Sequence, residues 1–132
     1  MLHLQATDPQ LFVHLTWKTK DNRPLLGNDQ LRQAAYLAVT ARTRALFCRV
    51  LAIGGTTCQI NMVASFPASL PITSLLRISH EAAQDALEGL QGTMSGDVPD
   101  IPCYWAPEYT AHTLNAAEAA EAKAYLRQRL GD

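Results

Sequence analysis

From Leu11 to Thr19 apolar and polar residues alternate, with Val13, Leu15 and Trp17 on one side and Phe12, His14, Thr16 and Lys18 on the other. A period of two predicts a strand. The cluster Asp21-Asn22-Arg23-Pro24 ends it, since these residues favour turns. The period then lengthens: Asn28 or Asp29 is placed to cap a helix running to about Ala45, with Leu31, Ala35 and Ala38 turned toward a sheet. Phe47 to Ile53 is apolar and β-prone, and Gly54-Gly55 reads as a hairpin turn into a further strand that Pro67 closes. A second helix is predicted from Ile72, just after Pro71, to about Leu90, because Leu75, Leu76, Ser79, Ala83, Ala86 and Leu87 recur at three- and four-residue steps. Gln91 to Pro102 reads as loop, Tyr109 to Leu114 as a short strand, and Asn115 as the cap of a last helix from Ala116 to about Leu130.

The order β-α-β-β-α-β-α with right-handed crossovers predicts an α+β fold, a ferredoxin-like α/β sandwich. Its antiparallel four-stranded sheet, in βαββαβ order, carries two helices on one face and leaves the C-terminal helix to cover the other. With 132 residues, 48% of them hydrophobic, the chain suits one domain spanning 1–132. Cys48, Cys58 and Cys103 are odd in number and lack C-x-x-C spacing, which argues against a disulfide framework or a zinc knuckle and for a reducing cytoplasm. Neither a signal-like start nor an apolar run of eighteen residues stands in the sequence, so no membrane association is expected.

Charge changes the picture only when divided. The net charge of −1 is unlike the basic excess usual in nucleic-acid binders. Residues 1–50 nevertheless hold seven basic groups against three acidic, and residues 51–132 hold four against nine. Phosphate could be held along the first half, where Lys18, Lys20 and Arg23 are the best candidates; the same residues serve equally as a solvated strand end.

The chemistry concentrates in Gly54 to Pro67. Alternation puts Cys58, Ile60, Met62 and Ala64 on one face and Gln59, Asn61, Val63 and Ser65 on the other. Two side chains at i and i+2 on a strand can converge on one bound atom, as a histidine-x-histidine strand does on a divalent metal. Here the pair is Gln59 and Asn61.

This segment, through Leu76, resembles the motif region of the single-tyrosine HUH transposases, DNA-nicking enzymes of simple insertion sequences and their repeat-associated relatives. Aligned without gaps, the family's glycine pair falls on Gly54-Gly55, its aspartate on Cys58 and its two metal-binding histidines on Gln59 and Asn61, while Leu70, Ile72 and Leu75 match as they stand. Val13 to Lys20 with Arg23 to Leu26 is similar to the family's opening strand, and Trp105 and Tyr109 fit a later motif. The resemblance extends from about Leu11 to Arg129.

It implies a tyrosine nucleophile on the last helix, at Tyr125, attacking a DNA phosphodiester that a Mg or Mn ion polarises. A glutamine four residues beyond the tyrosine completes the metal shell in the family; here that position is Arg129, with Gln128 turned about 100° away around the helix. The donors disagree with the implied chemistry. Losing even one supporting group around a metal commonly costs about tenfold to a hundredfold in affinity. In this chain two neutral amides and a guanidinium stand at all three ligand positions. The expectation is a degenerate member of the family, with no bound cofactor, which binds single-stranded or hairpin DNA as a homodimer without metal-dependent cleavage. Two alternatives stay open: an active transposase with an altered site, and a ferredoxin-like dimer reused for a small ligand or protein partner. Tyr125 also reads as a core or rim aromatic, and Gln59 and Asn61 as amides that bond each other or a water. His14 shares its strand face with Thr16, whereas His80 and His112 form no triad or metal pair by spacing.

Overall fold

Burial follows the alternation of the first strand, β1 (Gln10–Thr19), closely: Val13, Leu15 and Trp17 are fully buried while Lys18 is exposed. The computed structural model describes residues 10–93 and 104–129. A single 3-10 turn, Lys20–Asn22, stops β1, with Asp21 and Asn22 both in the left-handed region that short polar side chains tolerate. Helix α1 (Asp29–Arg44) begins at Asn28, whose Oδ1 accepts from the Gln30 and Leu31 backbone N–H groups at 2.8 and 3.2 Å. Its buried stripe runs Leu31, Ala35, Val39 and Thr43, with Tyr36 beside it. Ala38, expected in the stripe, is partly buried on its flank.

Strands β2 (Arg49–Gly55) and β3 (Gln59–Pro67) form the hairpin. Both glycines lie inside β2, and the turn is Thr56 to Cys58, later than the sequence predicts. The reason is steric: a Cβ on Gly55 would sit 1.9 Å from the Gln59 carbonyl oxygen, which already accepts from Thr56 N at 2.9 Å. The glycine permits the close approach of the two strands. Helix α2 runs Ile72–Thr93, so Gln91 to Thr93 are helical rather than loop, and residues 94–102 of the expected loop lie outside the described residues. Strand β4 (Trp105–Leu114) starts four residues before the expected one. Pro107 disguises it in the sequence, yet β4 is an edge strand, where a missing N–H need not break a ladder. Helix α3 is Ala116–Arg129. Asn115 Oδ1 accepts from Glu118 N at 2.8 Å and Glu118 Oε1 accepts from Asn115 N at 3.0 Å, a reciprocal capping box.

The sheet order is β2-β3-β1-β4 and every pairing is antiparallel. This is the ferredoxin-like sandwich. Helices α1 and α2 pack on one face over Val13, Leu15, Trp17, Ile60 and Met62, and Arg42 meets Asp85 at 3.1 Å between them. At the end of that core, His80 lies between two indoles, its ring 5.2 Å from Trp17 and 5.7 Å from Trp105, while Trp105 Nε1 donates to the His80 carbonyl at 3.1 Å. Burial lowers the His80 pKa from 6.5 to about 4.

The opposite face is covered thinly. Among the described side chains of α3 only Ala119 and Leu126 are fully buried against it, with Ala52 and Val63 beneath them. One further feature marks the end of α1. Cys48 N donates to the Thr43 carbonyl at 3.2 Å and Phe47 N to the Arg44 carbonyl at 3.0 Å, the two bonds of a Schellman motif. Phe47 holds its left-handed position, at φ 62°, where glycine is usual and another residue costs about 1–2 kcal/mol.

Candidate functional site

The register decides which side chains share the thinly covered face. Thr16 pairs with Asn61 and Lys18 with Gln59 across β1 and β3; His14 pairs with His112, and Thr16 with Thr110, across β1 and β4. Cross-strand partners point to the same side. The face therefore divides in two. Phe12, Leu114, Ala52 and Val63 are packed with α3, whereas His14, Thr16, Lys18, Gln59, Asn61, Thr110 and His112 form a polar half beside it.

At the centre of that half is Asn61. Its Oδ1 accepts from the Thr16 hydroxyl at 2.8 Å, and His14 Nε2 lies 3.2 Å from the same oxygen, so the tautomer carrying its proton on Nε2 donates there. A carbonyl oxygen has two lone pairs, and two donors occupy both. Asn61 is thus bound through its oxygen to the neighbouring strand. A cation approaching this oxygen would have to displace a hydroxyl proton and an imidazole proton before gaining one weak neutral donor. Gln59, half-buried two residues before it, adds another neutral amide at best. Among the described residues no three His, Cys, Asp or Glu side chains are grouped to hold a metal ion. The donor set does not fit the divalent ion that the resemblance implies.

Tyr125 stands on the last turns of α3 and is 57% exposed. Its neighbour Leu126 packs with Val63, two residues along β3 from Asn61, so α3 brings the tyrosine's turn to the border of the polar half. Gln128 is exposed. Arg129 closes α3, one turn beyond Tyr125, and its side chain lies outside the described residues.

The three phosphate candidates fall together at the end of β1. Lys18, Lys20 and Arg23 are all exposed, and Thr19 fixes the bend between them by donating its hydroxyl to the Arg23 carbonyl at 2.7 Å. Lys18 also lines a concavity of about 260 Å³ with Thr16, Glu108, Tyr109 and Thr110. Sequence reasoning did not find this hollow, since it arises where the β1–β4 register slips between Trp17 and Thr19. Nor could it find that His14 and Thr16 grip Asn61: alternation gave their common face, but only pairing gives the contact. His80, by contrast, is away from this face, in the aromatic cluster with Trp17 and Trp105. No helix among the described residues is long and apolar enough to cross a membrane.

No protein-family model matches the chain, and no curated protein matches it by sequence. Solved structures do. The chain is similar to a Deinococcus radiodurans protein provisionally described as a transposase, with a TM-score of 0.68 and 14% identity over 98% of both chains. It is also similar to a REP-associated tyrosine transposase bound to a REP hairpin, with a TM-score of 0.61 and 14% identity over 95% of this chain and 70% of that one. At this identity the likeness is one of fold, and it spans nearly the whole length.

Proposed function

We propose that this chain is a transposase-type DNA-binding protein that holds a hairpin or single strand without cutting it by a metal-dependent route. The observation carrying the reading is the saturated Asn61 oxygen: the strand position that resembles a metal-binding histidine is committed to Thr16 and His14. The DNA half of the reading is supported by the fold shared with a hairpin-bound transposase and by the exposed Lys18, Lys20 and Arg23 beside the polar face. In this reading Tyr125 keeps the nucleophile's place on α3 and does not react.

The protein acts as a homodimer in the same proposal. Glu108 to Thr113 of β4 are exposed in unbroken succession along a sheet edge, which is the surface a second copy would extend.

Fluorescence anisotropy with a labelled hairpin and a linear strand, titrated across salt, tests the binding. We expect a steep salt slope. Absence of binding at low salt would leave the reuse of the fold for a small ligand or protein partner. A nicking assay with Mg²⁺ or Mn²⁺ tests the chemistry, and a covalent DNA adduct through Tyr125 would restore an active enzyme with an altered site.

A further inference from the structure

At the far end of the sheet from Lys18 lies a second basic surface. The β1–β3–β2 register places Arg49 opposite Ser65, and Ser65 opposite Phe12, roughly 20 Å along β1 from the lysine. A concavity of about 380 Å³ opens there, lined by Gln10, Arg44, Phe47, Cys48, Arg49 and Ser65. None of these is a carboxylate. Arg44 and Arg49 are exposed, and neither belongs to an ion pair among the described residues, whereas Arg32, Arg42 and Arg77 each do.

Phe47 between them is unexpected on two independent counts. Its backbone is left-handed, at the Schellman position that glycine fills without strain, and 43% of its surface is in water. Neither backbone comfort nor burial accounts for an aromatic there. A strained, exposed aromatic ring flanked by two unpaired guanidinium groups is the arrangement that takes a base on the ring and phosphates on the arginines.

We infer that Arg44, Phe47 and Arg49 form a second contact for single-stranded DNA, with a base stacked on Phe47 and phosphates on the two arginines. The inference rests on the DNA-binding reading above and adds a site that neither the resemblance nor the polar half supplies. A strand held at both ends of the sheet would run past the α3 face.

The test is anisotropy with a fluorescein-labelled thymidine homopolymer, on the full chain and three variants: Arg44→Gln/Arg49→Gln, Phe47→Gly and Lys18→Gln/Lys20→Gln. The arginine variant should flatten the plot of log affinity against log salt by about 1.4, two single-strand phosphate contacts. Phe47→Gly should bind about fivefold or more weakly while melting at the same or a higher temperature, so that weaker binding cannot be charged to unfolding. The lysine variant should lose a separate share of the slope. If the unaltered chain binds no DNA, both this inference and the proposed function fall. If it binds and the arginine variant keeps the full slope, or Phe47→Gly binds as tightly, this inference alone is overturned. Equal competition by polyglutamate would overturn it too, in favour of an acidic peptide.

Discussion

Thr16 and Asn61 are directly paired across β1 and β3, and the threonine hydroxyl donates to the amide oxygen at 2.8 Å. The contact is half-buried, so removing the acceptor strands two donors, Thr16 and His14, in a place with some access to water. Asn61→Ala should therefore destabilise the fold by about 1 kcal/mol, read by urea unfolding, and Thr16→Val/Asn61→Ala together by less than the sum. Additive losses would mean the two side chains do not interact.

The same pair predicts the response to metal. Millimolar Mn²⁺ should leave the melting temperature of the unaltered chain in place, because no free lone pair awaits it on Asn61. Gln59→His/Asn61→His introduces two imidazoles at i and i+2 and should gain a Mn²⁺-dependent rise. A rise in the unaltered chain would show that a cation can win the oxygen from its two donors.

His80 gives the pH dependence. Its pKa is about 4 when folded, because burial disfavours the charged ring, against 6.5 when unfolded. Between those values the unfolded chain binds more protons, so stability is full above the unfolded pKa and falls as pH drops through the window. The steepest possible slope for one group is about 1.4 kcal/mol per pH unit, and the ring's partial exposure lowers the expectation to roughly half of that. His80→Gln should remove this slope between pH 5 and 6.5, measured by urea unfolding. Equal slopes in the two proteins would assign the pH response elsewhere.

Gly55 admits no side chain. Gly55→Ala puts a methyl within 1.9 Å of backbone, not of a side chain that could turn away. The hairpin must part, and a loss of more than about 3 kcal/mol is expected, seen as lost soluble yield or a collapsed melting transition. Wild-type stability in this variant would require the Gln59 end of β3 to be freer than the register implies.

Much of the fold was legible because the signals were local. Asn28 or Asp29 and Asn115 announced their helices by cap chemistry, and the caps are made by Asn28 and Asn115. Val13, Leu15 and Trp17 announced the buried side of β1 by alternation. What was hidden depended on partners far away in sequence. The hairpin turn moved past Gly54-Gly55 because Gly55 answers to Gln59, not to its own backbone preference. β4 was read short because the harm done by Pro107 depends on whether its strand lies at an edge. The polar face was legible in part, as the pair Gln59 and Asn61 and as His14 beside Thr16, but the capture of the Asn61 oxygen by β1 required the register.

The uneven covering of the sheet has a consequence for motion. Helix α3 is held to the sheet by a seam of small side chains around a buried leucine and by Arg127 Nη2 donating to the Leu51 carbonyl at 3.4 Å, while α1 and α2 share the main core. It should peel away as a unit long before the rest unravels, so its amides should exchange with deuterium faster than those of the other two helices. Each such excursion bares Ala52, Val63 and their apolar neighbours and carries Tyr125 away from the border of the polar half, which makes this part of the sheet an intermittently opened surface rather than a permanent recess.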